Sequence, residues 1–453
     1  MNYYLAVDIG ASSGRHILGS IQNGQLVLEE IFRFENNVTR KKHKLIWDDE
    51  YLFEQILSGM KKAKELGKIP TSMAVDTWAV DFALLDETDH LVDSIQAYRD
   101  ASHVQGAKKI HDQMPFEALY ALNGLQYQPF NSIYQLANRD LSQAKSFLMV
   151  PDYFAWKLTG HKTNELTNLS TTGLLNVHTR QLDEALLGVL DCDKEMFQEV
   201  KSAGEVIGSL LPNIQQIVGY DCDVVACASH DTASAYMAAI GDEIILSSGT
   251  WSLLGILSDD PIVNEKSRRA NYTHEGAPDR RIRFLKNIMG LWIIQEVKRD
   301  LRDTYSFAQL VEMARTDPYP HCIDVNQDKF LKPECMSKTI RAECKRLGYP
   351  PVETVGQLAD CVYRSLAFAT AQSVEELEHI TNKTYQTINV VGGGCQNEYL
   401  NELIADATGK TVIAGPVEAT AIGNLCTQMN HENRKALIKR SFPCKTFKKG
   451  KTI

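Results

Sequence analysis

Apolar positions gather in three short segments at the start of the chain, Tyr3–Ile9, Arg15–Ile21 and Leu26–Phe34, and the pattern reads as three strands. Turn-forming residues separate them, at Gly10–Gly14 and Asn23–Gly24. Asp48 then precedes Leu52, Ile56 and Met60, a helical spacing that predicts an Asp-capped helix through about Leu66. Ser72–Trp78 reads as the next strand. Two hairpin turns, a crossover helix and a strand give the order of a ribonuclease-H-like sheet. A Rossmann sheet would alternate strand and helix from the outset.

Helical spacing dominates from about Ala101 to Leu210, as expected of a cap or insertion around the sheet. Asp223–Ala228 reads as a buried strand, followed by Ser229-His230-Asp231-Thr232 and a small-residue helix to about Ile240. Ile244–Ser247 opens a second strand, turn and strand, with LSSGTWS at Leu246–Ser252 weakly like VDIGASSGR at Val7–Arg15. The pattern predicts a duplicated fold with a boundary at Gly241–Asp242, giving domains 1–241 and 242–453. Val355–Ile380 reads as a long helix, and the strand Thr387–Val391 delivers the chain into Gly392-Gly393-Gly394.

Charge narrows the field. With 48 Lys and Arg against 57 Asp and Glu, the net charge of -9 gives no general attraction to nucleic acid or anionic lipid. Asp8 interrupts the first apolar stretch, and no run of about 18 apolar residues follows, so neither secretion nor a membrane span is expected. Ten cysteines without a C-x-x-C pair fit a reduced, cytoplasmic setting.

The turn Gly10-Ala11-Ser12-Ser13-Gly14-Arg15 offers backbone N–H groups, two hydroxyls and a guanidinium, the parts of a phosphate cradle. Asp8, ending the strand before it, stands where a carboxylate orients metal-bound water. Ser248, Gly249 and Thr250 offer a second cradle. The glycine triplet is either a close-approach site for a nucleotide or a tight strand-to-helix turn. Either Asp231 or Thr232 is simply a helix cap, or Asp231 is a general base for a substrate hydroxyl. Asp76 and Asp81, set in an apolar segment, require partners, supplied by a polyhydroxylated ligand or by the protein.

These motifs together resemble the FGGY carbohydrate kinases of the actin-like ATPase superfamily. DTWAVDF at Asp76–Phe82, PDYF at Pro151–Phe154, ASHDTASA at Ala228–Ala235 and LSSGTWSLLG at Leu246–Gly255 are similar to the wording of rhamnulokinases. NIMGLW at Asn287–Trp292, VGGGCQN at Val391–Asn397 and AGPVEATAIGN at Ala414–Asn424 extend the likeness over nearly the whole chain. The resemblance implies an α/β, two-lobed actin-like, ribonuclease-H-like ATPase fold with an interdomain active-site cleft. It implies transfer of phosphate from ATP to L-rhamnulose in L-rhamnose catabolism, with Mg2+ accompanying ATP, and a monomer or weak oligomer.

Site roles follow from the same resemblance. Ala11, Ser12, Ser13, Gly14 and Arg15 would contact the ATP phosphates, Asp8 the metal through water, and Thr250, Gln295 and Gly393 the nucleotide. Asp231 would be the proton acceptor, with Ala79, His230, Thr232 and Asn287 in the sugar site. Ala79 stands where the family often has glycine. Cys344 and Cys361 match a family cysteine pair, for which the resemblance allows a disulfide cross-link, while a reducing cytoplasm makes free thiols the expectation. The alternatives are a sister kinase for L-fuculose, xylulose or glycerol, or a non-kinase ATPase switch. A sugar-sensing DNA-binding protein lacks its helix-turn-helix signature here.

Overall fold

In the first unit a mixed sheet forms around β1 (Tyr3–Ile9), which pairs antiparallel with β2 (Ser13–Gln22) and parallel with β4 (Pro70–Thr77); β3 (Gln25–Glu35) extends the edge beyond β2. The short strands β5 (Val206–Ser209) and β6 (Asp223–Val225) complete the order β5-β6-β4-β1-β2-β3. The computed structural model describes residues 1–430 and 433–452. Packing divides the chain into two units. The first contains Met1–Ala238, Leu257–Phe284 and Ala419–Ser441, and the second Ala239–Ile256, Leu285–Glu418 and Phe442–Ile453.

The helix Asp49–Glu65 is capped by Asp48, whose side chain accepts from Tyr51 N. Its apolar stripe of Leu52, Ile56, Met60 and Ala63 is fully buried in the same core as Leu5, Val7 and Leu18, each large side chain contributing about 1.5–3 kcal/mol. On the other sheet face, Ala421 and Leu425 of the helix Ala419–Gln428 pack with Ala6 and Ile17. A segment some 400 residues away in sequence thereby completes the first unit's core.

The second unit repeats the arrangement. Its central strand β7 (Ile244–Ser248) pairs antiparallel with β8 (Trp251–Ser258) and parallel with β10 (Thr387–Val391). With β9 (Ile282–Met289), β11 (Thr411–Ala414) and β12 (Lys445–Lys448), the six inner strands of an eight-stranded sheet run in the order β9-β8-β7-β10-β11-β12. The long helix spans Val355–Thr381. Each sheet has a first strand between its hairpin partner and a parallel neighbour, as the duplicated pattern predicts.

Two expectations change. The strand expected over Asp223–Ala228 ends at Val225, because Ala226 bonds to the loop at Gly204 and Glu205 instead of extending the ladder. The segment read as helical from Ala101 to Leu210 also contains strand Ser146–Met149, paired with Phe82–Leu85, and strand Thr163–Glu165, paired with Glu199–Lys201. Strands of three or four residues are too short to register as a period-2 pattern.

Candidate active site

Sheet register assembles the first cluster. On β1, Asp8 lies opposite Arg15 of β2 on one side and Asp76 of β4 on the other. Both Nε and Nη2 of Arg15 lie 3.0 Å from Asp8 Oδ2. Asp76 is fully buried, and Asn424 Nδ2 donates to its Oδ2 at 2.6 Å. Burial, then the charge of Asp8, pushes the Asp76 carboxyl well above the ordinary carboxylate range, with Asp231 adding to the effect. Its Oδ1 is buried without a hydrogen-bond partner.

The turn between β1 and β2 is held by Gly10 N donating to Ser13 O and by Asn36, which donates from N to Ser12 O and from Nδ2 to Gly10 O. Ser12 is exposed, with Ala11, Ser13 and Arg15 half-buried. Gly14 has a packing reason of its own: a Cβ there would come within 2.1 Å of the Phe34 ring.

The stretch 229–232 sits beside the end of β4, where Thr77 N donates to Ser229 O and Thr77 pairs in parallel with His230. Glu165 Oε2 accepts from both N and Oγ of Ser229, fixing the loop from below. Neither Asp231 nor Thr232 caps the helix that follows. His230 holds that position, and Asp231 is the first residue of Asp231–Met237. The Asp231 side chain keeps 34% of its surface open, and its Oδ1 accepts from Thr232 N and Oγ1. The cap reading fails, and an open carboxylate at a helix N-terminus is left.

Asp81 resolves the other way. Its Oδ2 accepts from Trp47 Nε1 at 2.7 Å, Trp78 Nε1 at 2.9 Å and Tyr98 N at 3.0 Å, and its Oδ1 from Gln135 Nε2 at 2.8 Å. Burial pushes its carboxyl up to about 6 against those bonds. The protein itself satisfies Asp81. Between the two aspartates, Ala79 is half-buried, and Val80 adopts φ 69° with its carbonyl accepting from Ser132 Oγ. A β-branched residue in the left-handed region costs of order 1–3 kcal/mol, strain of the kind that clusters at functional sites.

In the second unit, Gly249 N donates to Trp251 O across the β7–β8 turn. Leu291 N donates to Gly249 O and Trp292 N to Thr250 O, docking the start of helix Trp292–Asp300 on that turn. Thr250 is exposed, and Gln295 is half-buried one helical turn further on. The triplet packs on the same strand end: a Cβ on Gly394 would meet Ser248 Oγ at 2.0 Å, and one on Gly392 would meet Ser248 O at 3.1 Å. A Cβ on Gly393 would meet nothing within 4 Å. The first and third glycines are packing residues, and the middle one faces open space. Asn287, on β9, is half-buried with its Oδ1 lacking a hydrogen-bond partner. Cys344 and Cys361 are free thiols with their sulfurs 3.8 Å apart.

Comparison with known proteins gives these clusters a family. Residues 3–238 match the N-terminal domain of the FGGY family of carbohydrate kinases, and residues 244–430 match its C-terminal domain. The chain belongs to the FGGY carbohydrate kinases. It is 48% identical to a rhamnulokinase of Halalkalibacterium halodurans over 94% of this chain and 93% of that one. A rhamnulokinase of Bacillus subtilis is 41% identical over 98% and 95% of the two chains. Among solved structures, ligand-bound xylulose kinase from Lactobacillus acidophilus superposes with TM-score 0.79 at 16% identity, covering 99% of this chain and 94% of that one. Glycerol kinase of Plasmodium falciparum with ADP gives TM-score 0.79 at 13% identity, with the same coverage. The fold is that of the FGGY sugar kinases, and the chain is an ATP-dependent sugar kinase.

In this FGGY kinase, sequence reading misses the groups behind the candidate base. His230 Nε2 lies 3.4 Å from Asp231 Oδ1, and its Nδ1 is 3.1 Å from Arg283 Nη2 and 3.3 Å from Glu275 Oε2. Arg283 and Glu275 are buried and lie 3.0 Å apart. The only signal was Arg283 itself, a charge between Ile282 and Phe284 in an apolar strand. The kinase also has a place for the divalent cation that accompanies ATP in such enzymes. An orphaned Asp76 oxygen and the Asp8 carboxylate, with the charge of Asp231 also felt by Asp76, form an acidic cluster whose charge a cation would offset. Among the described residues no three ligating side chains gather for direct coordination, and the cluster fits a cation reached through water and phosphate oxygens.

Proposed function

We propose that this chain transfers the γ-phosphoryl group of ATP to O1 of L-rhamnulose, giving L-rhamnulose 1-phosphate and ADP as a step of L-rhamnose catabolism. The observation that carries the sugar assignment is identity of 41–48% to rhamnulokinases over nearly the whole chain. The open carboxylate of Asp231 supports the chemistry, since a group that accepts a proton from a substrate must be reachable.

Mg2+, held through water by Asp8, supplies charge neutralisation on the phosphates when bound. Ala11 to Arg15 hold the phosphate chain through turn amides, hydroxyls and the guanidinium, with Arg15 oriented by its ion pair to Asp8. Thr250, Gln295 and Gly393 hold the nucleotide, Gly393 because it alone of its triplet leaves room at the backbone. Ala79, His230, Thr232 and Asn287 hold the sugar, and the unpaired Asn287 Oδ1 is an acceptor ready for a hydroxyl. Asp231 takes the O1 proton as the oxygen attacks phosphorus, and positioning with charge stabilisation carries most of the rate. We assign residues 1–241 to sugar binding, the first phosphate turn and the base, and residues 242–453 to nucleotide binding, with Asn287 as a sugar contact supplied from the second span. The kinase acts in the cytoplasm as a monomer or weak oligomer.

The test is an ATP-dependent assay of L-rhamnulose beside L-fuculose, xylulose and glycerol, with the phosphorylated position read by NMR. Preference for L-rhamnulose with phosphate on O1 supports the reading. Preference for another acceptor, or ATP hydrolysis without transfer, refutes it.

A further inference from the structure

We infer that the buried Arg283–Glu275 pair positions the catalytic base by fixing the ring proton of His230 on Nε2, facing Asp231; the inference rests on the reading of Asp231 as that base. A neutral imidazole carries one proton, and the partner of one nitrogen decides where it stays. Nδ1 of His230 has two polar neighbours of opposite kind, a donor and an acceptor. Arg283 Nη2 makes a hydrogen bond to Nδ1 at 3.1 Å, and Arg283 can only donate. Nδ1 is therefore the acceptor. Glu275 Oε2 is 3.3 Å from Nδ1 and 3.0 Å from Arg283 Nη2, yet it completes a hydrogen bond with neither. It serves as the counter-charge. Burial raises the Glu275 carboxyl, but the Arg283 charge and then His230 outweigh burial and leave it below the ordinary value.

Arg283 is itself fixed. It has no exposed surface, its Nε donates to Gly276 O at 2.8 Å, and its guanidinium carbon lies 5.9 Å from the centre of the Tyr236 ring. A fully buried guanidinium without Glu275 would carry a large desolvation cost. The pair is neutral overall, so it places no net charge beside the ring. The consequence lies 3.4 Å away, where the Nε2 proton faces Asp231 Oδ1. Together with Thr232 N and Oγ1, both donating to Oδ1, it leaves Oδ2 as the oxygen for the substrate proton. With the proton on Nδ1 instead, a lone pair would face the carboxylate and push it out of position.

Long-range 1H–15N NMR of the full chain reads the tautomer directly, with the His230 signals identified by their loss in His230→Gln. The expected spectrum shows Nε2 protonated and Nδ1 unprotonated; Nδ1 protonation in the wild type overturns the inference without any variant. Arg283→Met leaves Glu275 as the only partner of Nδ1. It should invert the tautomer and lower kcat about 10–100-fold, with KM for ATP changed less than about twofold. Arg283→Lys keeps a cationic donor and should restore the tautomer and part of kcat. A folded Arg283→Met protein with the wild-type tautomer and kcat also overturns the inference. Failure of the Asp231 reading is distinguishable: Asp231→Asn would then retain turnover whatever the tautomer.

Discussion

Gly392, Gly393 and Gly394 form one motif in sequence, but space separates their roles. Ser248 stands against the first and third, and only Gly393 leaves a Cβ unobstructed. Gly393→Ala should fold normally, and a methyl at the proposed nucleotide face should raise KM for ATP. Gly394→Ala must displace Ser248 and should lower the melting temperature, with a cost of about 1–3 kcal/mol typical of overpacking. Thermal unfolding of both variants, alongside ATP titration of the first, checks the assignment. Asp76 and Asp81 show the same limit of sequence reading. Both are buried carboxylates five positions apart, yet Asp81 accepts four protein hydrogen bonds while one Asp76 oxygen has none. What separates them is Trp47, Tyr98, Gln135 and Asn424, none of which lies close to both in sequence.

At the scale of elements, the hydrophobic pattern was a good guide wherever a strand or helix was long. The strand Thr387–Val391 and the Asp48 cap match their expected limits. The pattern could not show how the elements lock. His16 of β2 is fully buried between helix Asp49–Glu65 and the rings of Phe32 and Phe34, its Nε2 3.1 Å from Ile56 O. Gly59 admits the ring, since a Cβ there would lie 2.2 Å from His16 Cδ2. Burial lowers His16 from 6.5 to about 4. Above pH 6.5 both folded and unfolded forms are neutral there. As pH falls from 6.5 to 4 the unfolded chain takes a proton that the fold refuses, so stability falls by about 3 kcal/mol across that window. His16→Phe keeps a flat ring without the titration. Denaturant unfolding from pH 7 to pH 4 should show the wild type losing about 3 kcal/mol more than the variant; parallel losses would contradict this.

On the scale of the whole molecule, the chain moves from one packing unit to the other five times, at residues 238, 256, 284, 418 and 441. A fragment of residues 1–241 lacks Ala421 and Leu425 from its sheet core, Asn424 from Asp76, and Glu275 with Arg283 from His230. Expressed alone, it should show no cooperative thermal transition by circular dichroism; a sharp transition would contradict the shared core. The same long-range returns explain how much of the site could be read in advance. The turns, His230-Asp231-Thr232 and the glycine triplet each lie within one stretch of sequence and were visible there. The Arg283–Glu275 support and the Asn424 contact arise only when distant segments fold back, and no local spacing announces them.

The proposed phosphoryl transfer depends most on Asp231 as the group that takes the sugar proton. Replacing one carboxylate oxygen by nitrogen in Asp231→Asn keeps the shape and removes the base. With ATP and L-rhamnulose saturating, its kcat should fall about 10²–10⁴-fold, while ATP affinity by calorimetry and the melting temperature stay close to wild type. Turnover within a few-fold of wild type in that variant would contradict the mechanism.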